Sequence, residues 1–152
     1  MILRAAKITD AKDIYKLIEF YANKGEMLHR SLNAIYEDIQ EFIVIQFSNN
    51  IIGCGALHIS WEDLAEIRSL AIAKQYQKNG FGKQIVERLQ ISAKLLNVRK
   101  IFTLTFKPNF FIKLGYSIIT KESLPHKIWS ECVNCYLFPD CGEIALSKSI
   151  SI

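Results

Sequence analysis

The segment that most constrains the fold is a strand-like run, residues 64–72, that leads through a polar turn into a helix. The run reads Leu-Ala-Glu-Ile-Arg-Ser-Leu-Ala-Ile, and Gln-Lys-Asn-Gly-Phe-Gly-Lys follows at residues 77–83. Amide groups at the start of a helix bind anions, and glycine lets the backbone approach a phosphate closely. Lys78 and Lys83 add positive charge. The segment therefore predicts a phosphate-binding strand–turn–helix unit, although glycines that only cap the helix would also fit.

Two widespread phosphate motifs do not fit this turn. A P-loop would need Gly in place of Gln77 and Ser or Thr in place of Gln84. A dinucleotide-binding fingerprint would need Gly in place of Ile85. The spacing thus excludes both of these nucleotide-binding classes.

Hydrophobic periodicity predicts that residues 1–152 form one α+β domain on a mixed sheet. A first helix is expected from a cap at Thr9 or Asp10 to about Asn23, and a second from a cap at Ser31 to Ile39. Further helices are expected over 85–96 and from Pro108 to Gly115, and strands over 2–6, 42–47, 51–59, 64–72, 100–105, 116–120 and 143–149.

Composition and charge exclude several classes of protein. Half of the residues are hydrophobic and 22% are charged, which excludes a disordered or fibrous chain. The net charge of +4 suits an anionic small ligand, but the basic residues are scattered, unlike those of nucleic-acid-binding proteins. Neither a secretory signal nor an apolar run of about 20 residues is present. We expect a cytoplasmic protein without nucleic-acid or membrane partners, and a homodimer stays open.

Three cysteines, Cys132, Cys135 and Cys141, lie close together near the C-terminus. The Cys-x-x-Cys spacing is typical of a zinc knuckle, but a closed zinc site needs four ligands. Cys54 or His126 would have to complete it. Reduced thiols that shape a loop are the simpler interpretation, so no metal is expected.

The strand and turn resemble the coenzyme-binding part of the GNAT acetyltransferases. Gln-x-x-Gly-x-Gly follows Glu-Ile-Arg-Ser-Leu-Ala-Ile, and the order of elements is similar over nearly the whole chain. The resemblance implies the GNAT fold, a mixed, mostly antiparallel central sheet flanked by helices, with acetyl-CoA as co-substrate. It also implies that the strand pairs with the pantetheine arm and that the turn amides meet the pyrophosphate. The residues assigned to acetyl-CoA in this way are Leu70, Ala71, Ile72, Gln77, Lys78, Asn79, Gly80, Phe81, Gly82 and Lys83.

Acetyl transfer requires a group that takes the proton of the acceptor, because only a neutral amine attacks a thioester. GNAT enzymes often place this base where Glu66 stands, although Glu66 could instead be a solvent-facing strand residue. Apolar neighbours would raise its pKa. The Leu70 amide is the expected donor to the oxyanion. Many GNAT enzymes carry a tyrosine acid where this chain has Phe111, which leaves Tyr116 and Tyr76 as weak substitutes.

A narrower resemblance concerns the acceptor. Leu28-His29-Arg30-Ser31, the run at 51–57 and Phe110-Phe111-x-x-x-Gly115-Tyr116 are similar to the acetyltransferase domain of N-acetylglutamate synthase, which opens bacterial arginine biosynthesis. The tail from Leu124 to Cys135 resembles the short, stand-alone members of that group. A small amino acid, glutamate first, is therefore the expected acceptor. Long synthases carry an Arg-Ser pair in the final strand, and residues 143–148 contain no Arg, so glutamine or another amino acid stays open.

Arg30, Lys127 and Arg68 are the candidate cations for an acceptor carboxylate, because a guanidinium can grip a carboxylate through two bonds. Each could instead be a solvated surface charge. Strand alternation leaves open whether Arg68 lies on the face of Glu66, and a bulge would alter it. Two other functions stay open: a protein N-terminal or lysine acetyltransferase with an open acceptor groove, and a non-catalytic CoA- or metal-binding module.

Overall fold

A seven-stranded sheet organises the computed structural model, which describes residues 1–125, 128 and 142–151. Its strands are β1 (Ile2–Ala5), β2 (Phe42–Phe47), β3 (Asn50–Trp61), β4 (Leu64–Ile72), β5 (Lys100–Thr105), β6 (Ser117–Ile119) and β7 (Ile144–Ser149). The helices are α1 (Ala11–Ala22), α2 (Leu32–Glu37), α3 (Phe81–Leu95) and α4 (Pro108–Lys113).

The strands are arranged in the order β1-β2-β3-β4-β5-β7-β6. Among the described residues β4 and β5 form the parallel pair, and the other neighbouring strands run antiparallel. The α+β fold with a mixed, mostly antiparallel sheet is thereby confirmed.

Each face of the sheet is covered by a different helical layer. The apolar side of α3 buries Ile85 and Leu89 against one face. The other face packs against α1 and the segment around α2, through Ile14, Ile18 and Ile35. None of the helices in the described part of the chain is long and apolar enough to cross a bilayer.

The two predicted helix caps have different outcomes. The Ser31 hydroxyl accepts a hydrogen bond from the Ala34 amide at 3.0 Å and so caps α2 as predicted. The Asp10 carboxylate makes no cap to α1. It accepts instead from the Arg4 guanidinium at 2.8 and 3.0 Å and from the Lys7 amide at 2.7 Å. These bonds tie β1 to the start of α1, and the hydrogen bond from Arg4 lowers the pKa of Asp10.

The parallel strands β4 and β5 separate partway along their length. Their paired residues end at Glu66 and Phe102, although both strands continue beyond that pair. The buried Thr103 hydroxyl donates to the Ile67 carbonyl at 2.9 Å and marks the point where the strands part. The gap beyond this point opens the edges of both strands to a ligand.

One extra residue in β4 changes the alternation of its side chains. Cys54 of β3 pairs with Ala71, but Ala56 pairs with Arg68, so the register shifts between these pairs. Ser69 lies within this bulge and has a positive φ of 57°. Bulges re-aim side chains and are frequent beside binding sites.

Candidate functional site

A cavity of about 880 Å³ fills the gap between β4 and β5. Residues 66–72 and 103–107 line its length, the turn before α3 lines one end, and Arg30 lines the other. This volume lies within the range of sites for small molecules and cofactors. A single cavity therefore joins the predicted coenzyme turn to the predicted catalytic and acceptor residues.

The turn before α3 presents backbone to the cavity. Gly80 is the residue before the helix and has a φ of 83°, and Lys78 has a φ of 65°. No atom lies within 4 Å of where a Gly80 side chain would begin, so the backbone there is open to close approach. The first amides of an α-helix have no carbonyl partner within the helix and carry its positive dipole end. The turn therefore fits a phosphate group of acetyl-CoA.

Side chains on either side of the turn hold it in place. The Gln77 amide donates to the Tyr21 hydroxyl at 2.7 Å, and that hydroxyl donates to the Ile72 carbonyl. Burial raises the pKa of Tyr21, so this donor stays protonated. Asn79 donates to the carbonyls of Tyr76 and Gln77 at 3.2 and 3.1 Å and does not line the cavity. The predicted contact of Asn79 with the coenzyme thus remains a prediction, while the structure gives it a bracing role.

Gly82 allows α4 to pack closely on the start of α3. A methyl group at Gly82 would meet the Phe110 ring at 3.1 and 3.2 Å. The ring of Phe110 lines the same cavity. The two glycines of the motif therefore have different roles, since Gly80 leaves room for a ligand and Gly82 leaves room for a neighbouring helix.

Glu66 and Arg68 lie on the same side of β4. The Glu66 side chain is 12% exposed, and its Oε1 lies 3.7 Å from Arg68 Nη1. The open question of their relative orientation is thus settled in favour of a shared face. Both residues line the cavity, as do Leu70, Ala71 and Ile72.

Arg30 reaches the same end of the cavity from the loop before α2. Its Nη2 donates to Asp38 Oδ2 at 2.5 Å, and its Nη1 donates to Ser69 Oγ at 3.4 Å. Burial and the neighbouring charge of Arg68 lower the pKa of Arg30, but an arginine side chain remains protonated in proteins. Two of the three predicted acceptor cations therefore lie together, beside the predicted base.

Acidic residues that were not predicted from the sequence surround these cations. Asp38 and Glu41 lie 3.9 and 3.8 Å from Arg68 Nη2. The His58 Nδ1–H group donates to the other oxygen of Glu41 at 2.8 Å. Asp38 and Glu41 follow a short helix three residues apart, a pattern that is typical of solvent-exposed acids. The sequence therefore contained no signal that they belong to this cluster.

Phe111 lines the cavity and is buried, with its ring edge-on to Tyr116. The Tyr116 hydroxyl donates to Gln90 Oε1 at 2.8 Å, and burial raises its pKa. Tyr76 does line the cavity and packs between Phe47 and Phe81. Of the two weak substitutes for the acid, Tyr116 is thus engaged in packing, whereas Tyr76 is among the residues that line the cavity.

Several predicted residues lie outside the described part of the chain. They are Lys127, His126, Cys132, Cys135 and Cys141. Cys54 is described: it is fully buried, its thiol donates to the Ser69 carbonyl at 3.4 Å, and burial raises its pKa to about 12. Cys54 is therefore a protonated thiol packed in the core, judged from the residues that the structure describes.

Comparison with known proteins agrees with this geometry. Residues 9–116 match the model of the acetyltransferase (GNAT) family. An uncharacterized N-acetyltransferase of Chlorobaculum tepidum is 38% identical over 148 residues, which cover 97% of this chain and 96% of that protein. An amino-acid acetyltransferase of Mycobacterium tuberculosis is 34% identical over 138 residues, which cover 89% of this chain and 79% of the relative.

Solved structures share the fold. Rv2747 from Mycobacterium tuberculosis, in complex with CoA and NLQ, superposes with a TM-score of 0.86 at 29% identity over 99% of this chain and 100% of that one. N-acetylglutamate synthase from Neisseria gonorrhoeae, complexed with coenzyme A and N-acetyl-glutamate, gives a TM-score of 0.88 at 23% identity over 99% of this chain and 35% of that one. This chain thus spans about a third of the synthase, and its similarity to that structure is a similarity of fold. The chain belongs to the acetyltransferase (GNAT) family, and it is an N-acetyltransferase that uses acetyl-CoA.

Proposed function

We propose that this enzyme transfers acetyl from acetyl-CoA to the α-amine of a small amino acid, with glutamate as the first candidate, as in the opening step of arginine biosynthesis. The observation that carries the proposal is the placement of two guanidinium groups, Arg30 and Arg68, beside Glu66 at one end of the coenzyme cavity. A relative 34% identical to this chain is an amino-acid acetyltransferase, and the Neisseria synthase binds N-acetyl-glutamate.

Glu66 would act as the general base. Its carboxylate would accept the amine proton, directly or through a water molecule, as the nitrogen attacks the thioester carbon. The Leu70 amide would donate to the oxygen that becomes negative in the tetrahedral intermediate. Collapse of that intermediate releases the thiolate of coenzyme A. A thiolate is a tolerable leaving group, so the phenylalanine at position 111 does not prevent the reaction.

Arg30 would bind the α-carboxylate of the acceptor. It is partly buried, which strengthens its interaction with an anion, and Asp38 holds its guanidinium in place. The carboxylate is bound in both the ground and transition states, so the contact acts on substrate affinity. Lys127 remains a predicted second cation, outside the described residues.

Thiol release from acetyl-CoA, measured against each of the twenty amino acids, tests the proposal. We expect one small group of amino acids, glutamate foremost, to give the highest kcat/KM. Peptides with a free N-terminus or a lysine would exceed every free amino acid if the enzyme instead modified proteins. The absence of thiol release with all acceptors would contradict the proposal.

Arg30→Ala sharpens the same test. A hydrogen bond to a charged group is worth roughly 1.5–3 kcal/mol, so kcat/KM for a free amino acid should fall about ten- to a hundredfold, mainly through KM. An acceptor amine without a carboxylate should lose little, since it never used the cation. Arg30→Lys keeps the charge near Asp38 and should recover part of the activity. Equal losses for both acceptors would mean that Arg30 only supports the fold.

A further inference from the structure

A closed circuit of charged and titratable side chains lies beside the predicted base. From Glu66 it passes to Arg68 across 3.7 Å, from Arg68 to Glu41 across 3.8 Å, and from Glu41 to His58 through a 2.8 Å hydrogen bond. His58 and Glu66 are direct neighbours on β3 and β4. The circuit therefore begins and ends at the same place in the sheet.

Only one of the two carboxylate oxygens of Glu41 accepts a hydrogen bond from the described residues. His58 donates to its Oε2, while its Oε1 is buried and has no hydrogen-bond partner among the described residues. That free oxygen is the one that faces Arg68. A buried carboxylate oxygen without a donor is costly, so its placement calls for a reason beyond the stability of the fold.

Arg68 lies between carboxylates without a hydrogen bond to any of them. Its contacts with Glu66, Glu41 and Asp38 are 3.7, 3.8 and 3.9 Å, which is longer than a hydrogen bond. Its Nε is buried and has no partner among the described residues. The Arg68 guanidinium thus makes three long ionic contacts with three carboxylates and no short ion pair with any one of them.

Asp38 contributes less to this division than Glu41 does. Its Oδ2, the oxygen nearest to Arg68, already accepts from Arg30 at 2.5 Å. Glu41 has no arginine of its own at that distance in the described structure, and its free oxygen points at Arg68. Among residues 1–125, 128 and 142–151, the charged groups recorded around Arg68 are Glu66 on β4, Asp38 and Glu41 after α2 and Arg30 before it, with His58 on β3 bonded to Glu41.

We propose that Glu41 is a positioning residue for acetyl transfer: held by His58, it draws the Arg68 guanidinium away from Glu66 and leaves that carboxylate a stronger base. The inference rests on the proposed role of Glu66. An arginine that paired fully with Glu66 would stabilise its ionised form and make it reluctant to accept a proton. Because Arg68 also faces Glu41, a cation stays near the acceptor while the basicity of Glu66 is lowered less.

Two variants should shift the titration of Glu66 in opposite directions. Glu41→Gln removes a competing negative charge, so the ionised form of Glu66 becomes more stable and its titration midpoint should fall by roughly half a pH unit or more. Arg68→Met removes the positive charge, so the midpoint should rise by roughly one pH unit or more. Both midpoints can be measured by NMR on the full chain with ¹³C-labelled glutamate side chains, with the Glu66 signal assigned through its loss in Glu66→Gln.

The pH dependence of kcat/KM should report the same shifts. In Glu41→Gln the acid limb should move to lower pH and the plateau should fall by about two- to tenfold, since a weaker base accelerates proton transfer less. In Arg68→Met the limb should move to higher pH. Glu62→Gln, the same chemical change at an exposed turn residue, should leave the titration midpoint unchanged. Should Glu41→Gln fail to fold, Glu41→Asp keeps the charge, withdraws the free oxygen, and should give a smaller shift of the same sign.

Unchanged Glu66 titrations in folded Glu41→Gln and Arg68→Met, or shifts of the same sign in both, would overturn the inference. Loss of thermal stability with no change in either pH profile would assign Glu41 a purely structural role and overturn it as well. If the wild type acetylated no amino acid while the NMR midpoints moved as stated, the proposed acceptor would be wrong and the sharing of Arg68 right. The two proposals therefore fail in distinguishable ways.

Discussion

The two ends of the cavity differ in which parts of the chain form them. At the coenzyme end, one continuous segment, residues 77–83, lines the cavity with all of its residues except Asn79, and the charged side chains there are exposed. At the acceptor end, partly buried side chains from separate parts of the chain line the cavity, namely Arg30, Glu66 and Arg68. Asp38, Glu41 and His58 do not line it but belong to the same cluster of contacts. The geometry of the turn at the first end fits a phosphate, whereas the second end is a cluster of opposite charges in contact with one another.

This difference determines how sensitive each end should be to substitution. Backbone amides remain when a side chain changes, so the coenzyme end should be damaged mainly by changes to its glycines. In a partly buried charge cluster, by contrast, the removal of one side chain changes the charge that its neighbours experience. Single side-chain changes should therefore cost far more at the acceptor end.

The largest effect is expected for Glu66→Gln. If Glu66 is the base, turnover at neutral pH should fall on the order of ten- to ten-thousand-fold, while acetyl-CoA affinity measured by calorimetry should barely change. The deficit should shrink as pH rises, because the free amine becomes abundant and needs no base. Glu62→Gln, which neutralises an exposed glutamate in the turn between β3 and β4, is the matched control. Near-normal turnover of Glu66→Gln at pH 7 would make Glu66 a strand residue without a chemical role.

The fold and the structure of the turn before α3 were predictable from sequence because both are encoded locally. Apolar residues at helical spacing predicted α3, and alternation with turn residues predicted the hairpin of β2 and β3. The turn was predictable because the conformations that Gly80 allows and the helix that follows it are neighbours in sequence. Such features can be predicted without knowing which residues distant in sequence come into contact.

The acceptor end was predicted only in part, because its members meet through the sheet. Arg30 and Arg68 were identified, but their pairing with Asp38 and Glu41 depends on how the loop after α2 packs over β4. The bulge at Ser69, which resets the alternation of β4, also had no signal in a non-glycine residue. The role of Tyr21 was hidden for a similar reason, since its partner Gln77 is far away in sequence.

An intermediate effect is expected for Gly80→Asp, which tests the coenzyme end at its backbone. Aspartate is among the residues that best tolerate a positive φ, and a carboxylate complements the start of a helix, so the melting temperature should change little. The same carboxylate should repel a pyrophosphate, and the acetyl-CoA Kd should rise by about ten- to a hundredfold. Gly80→Asn has a similar shape without the charge and should lose clearly less affinity. Equal losses for the two variants would contradict the placement of the pyrophosphate at this turn.

The smallest effect is expected for Lys83→Gln, which removes a charge from the coenzyme end and leaves its amides intact. The Lys83 side chain is 62% exposed and lies 3.8 Å from Glu87, which already offsets part of its charge. Exposed charges contribute about 0–1 kcal/mol, so the acetyl-CoA Kd should rise by at most about fivefold. The difference from wild type should vanish near 1 M salt, where the screening length falls to about 3 Å. Lys94→Gln, an exposed lysine in the last turn of α3, should have no effect at either salt concentration. If Lys83→Gln instead weakened binding as much as Gly80→Asp, and did so at high salt, side chains would hold the coenzyme at this end too, and the contrast with the acceptor end would be lost.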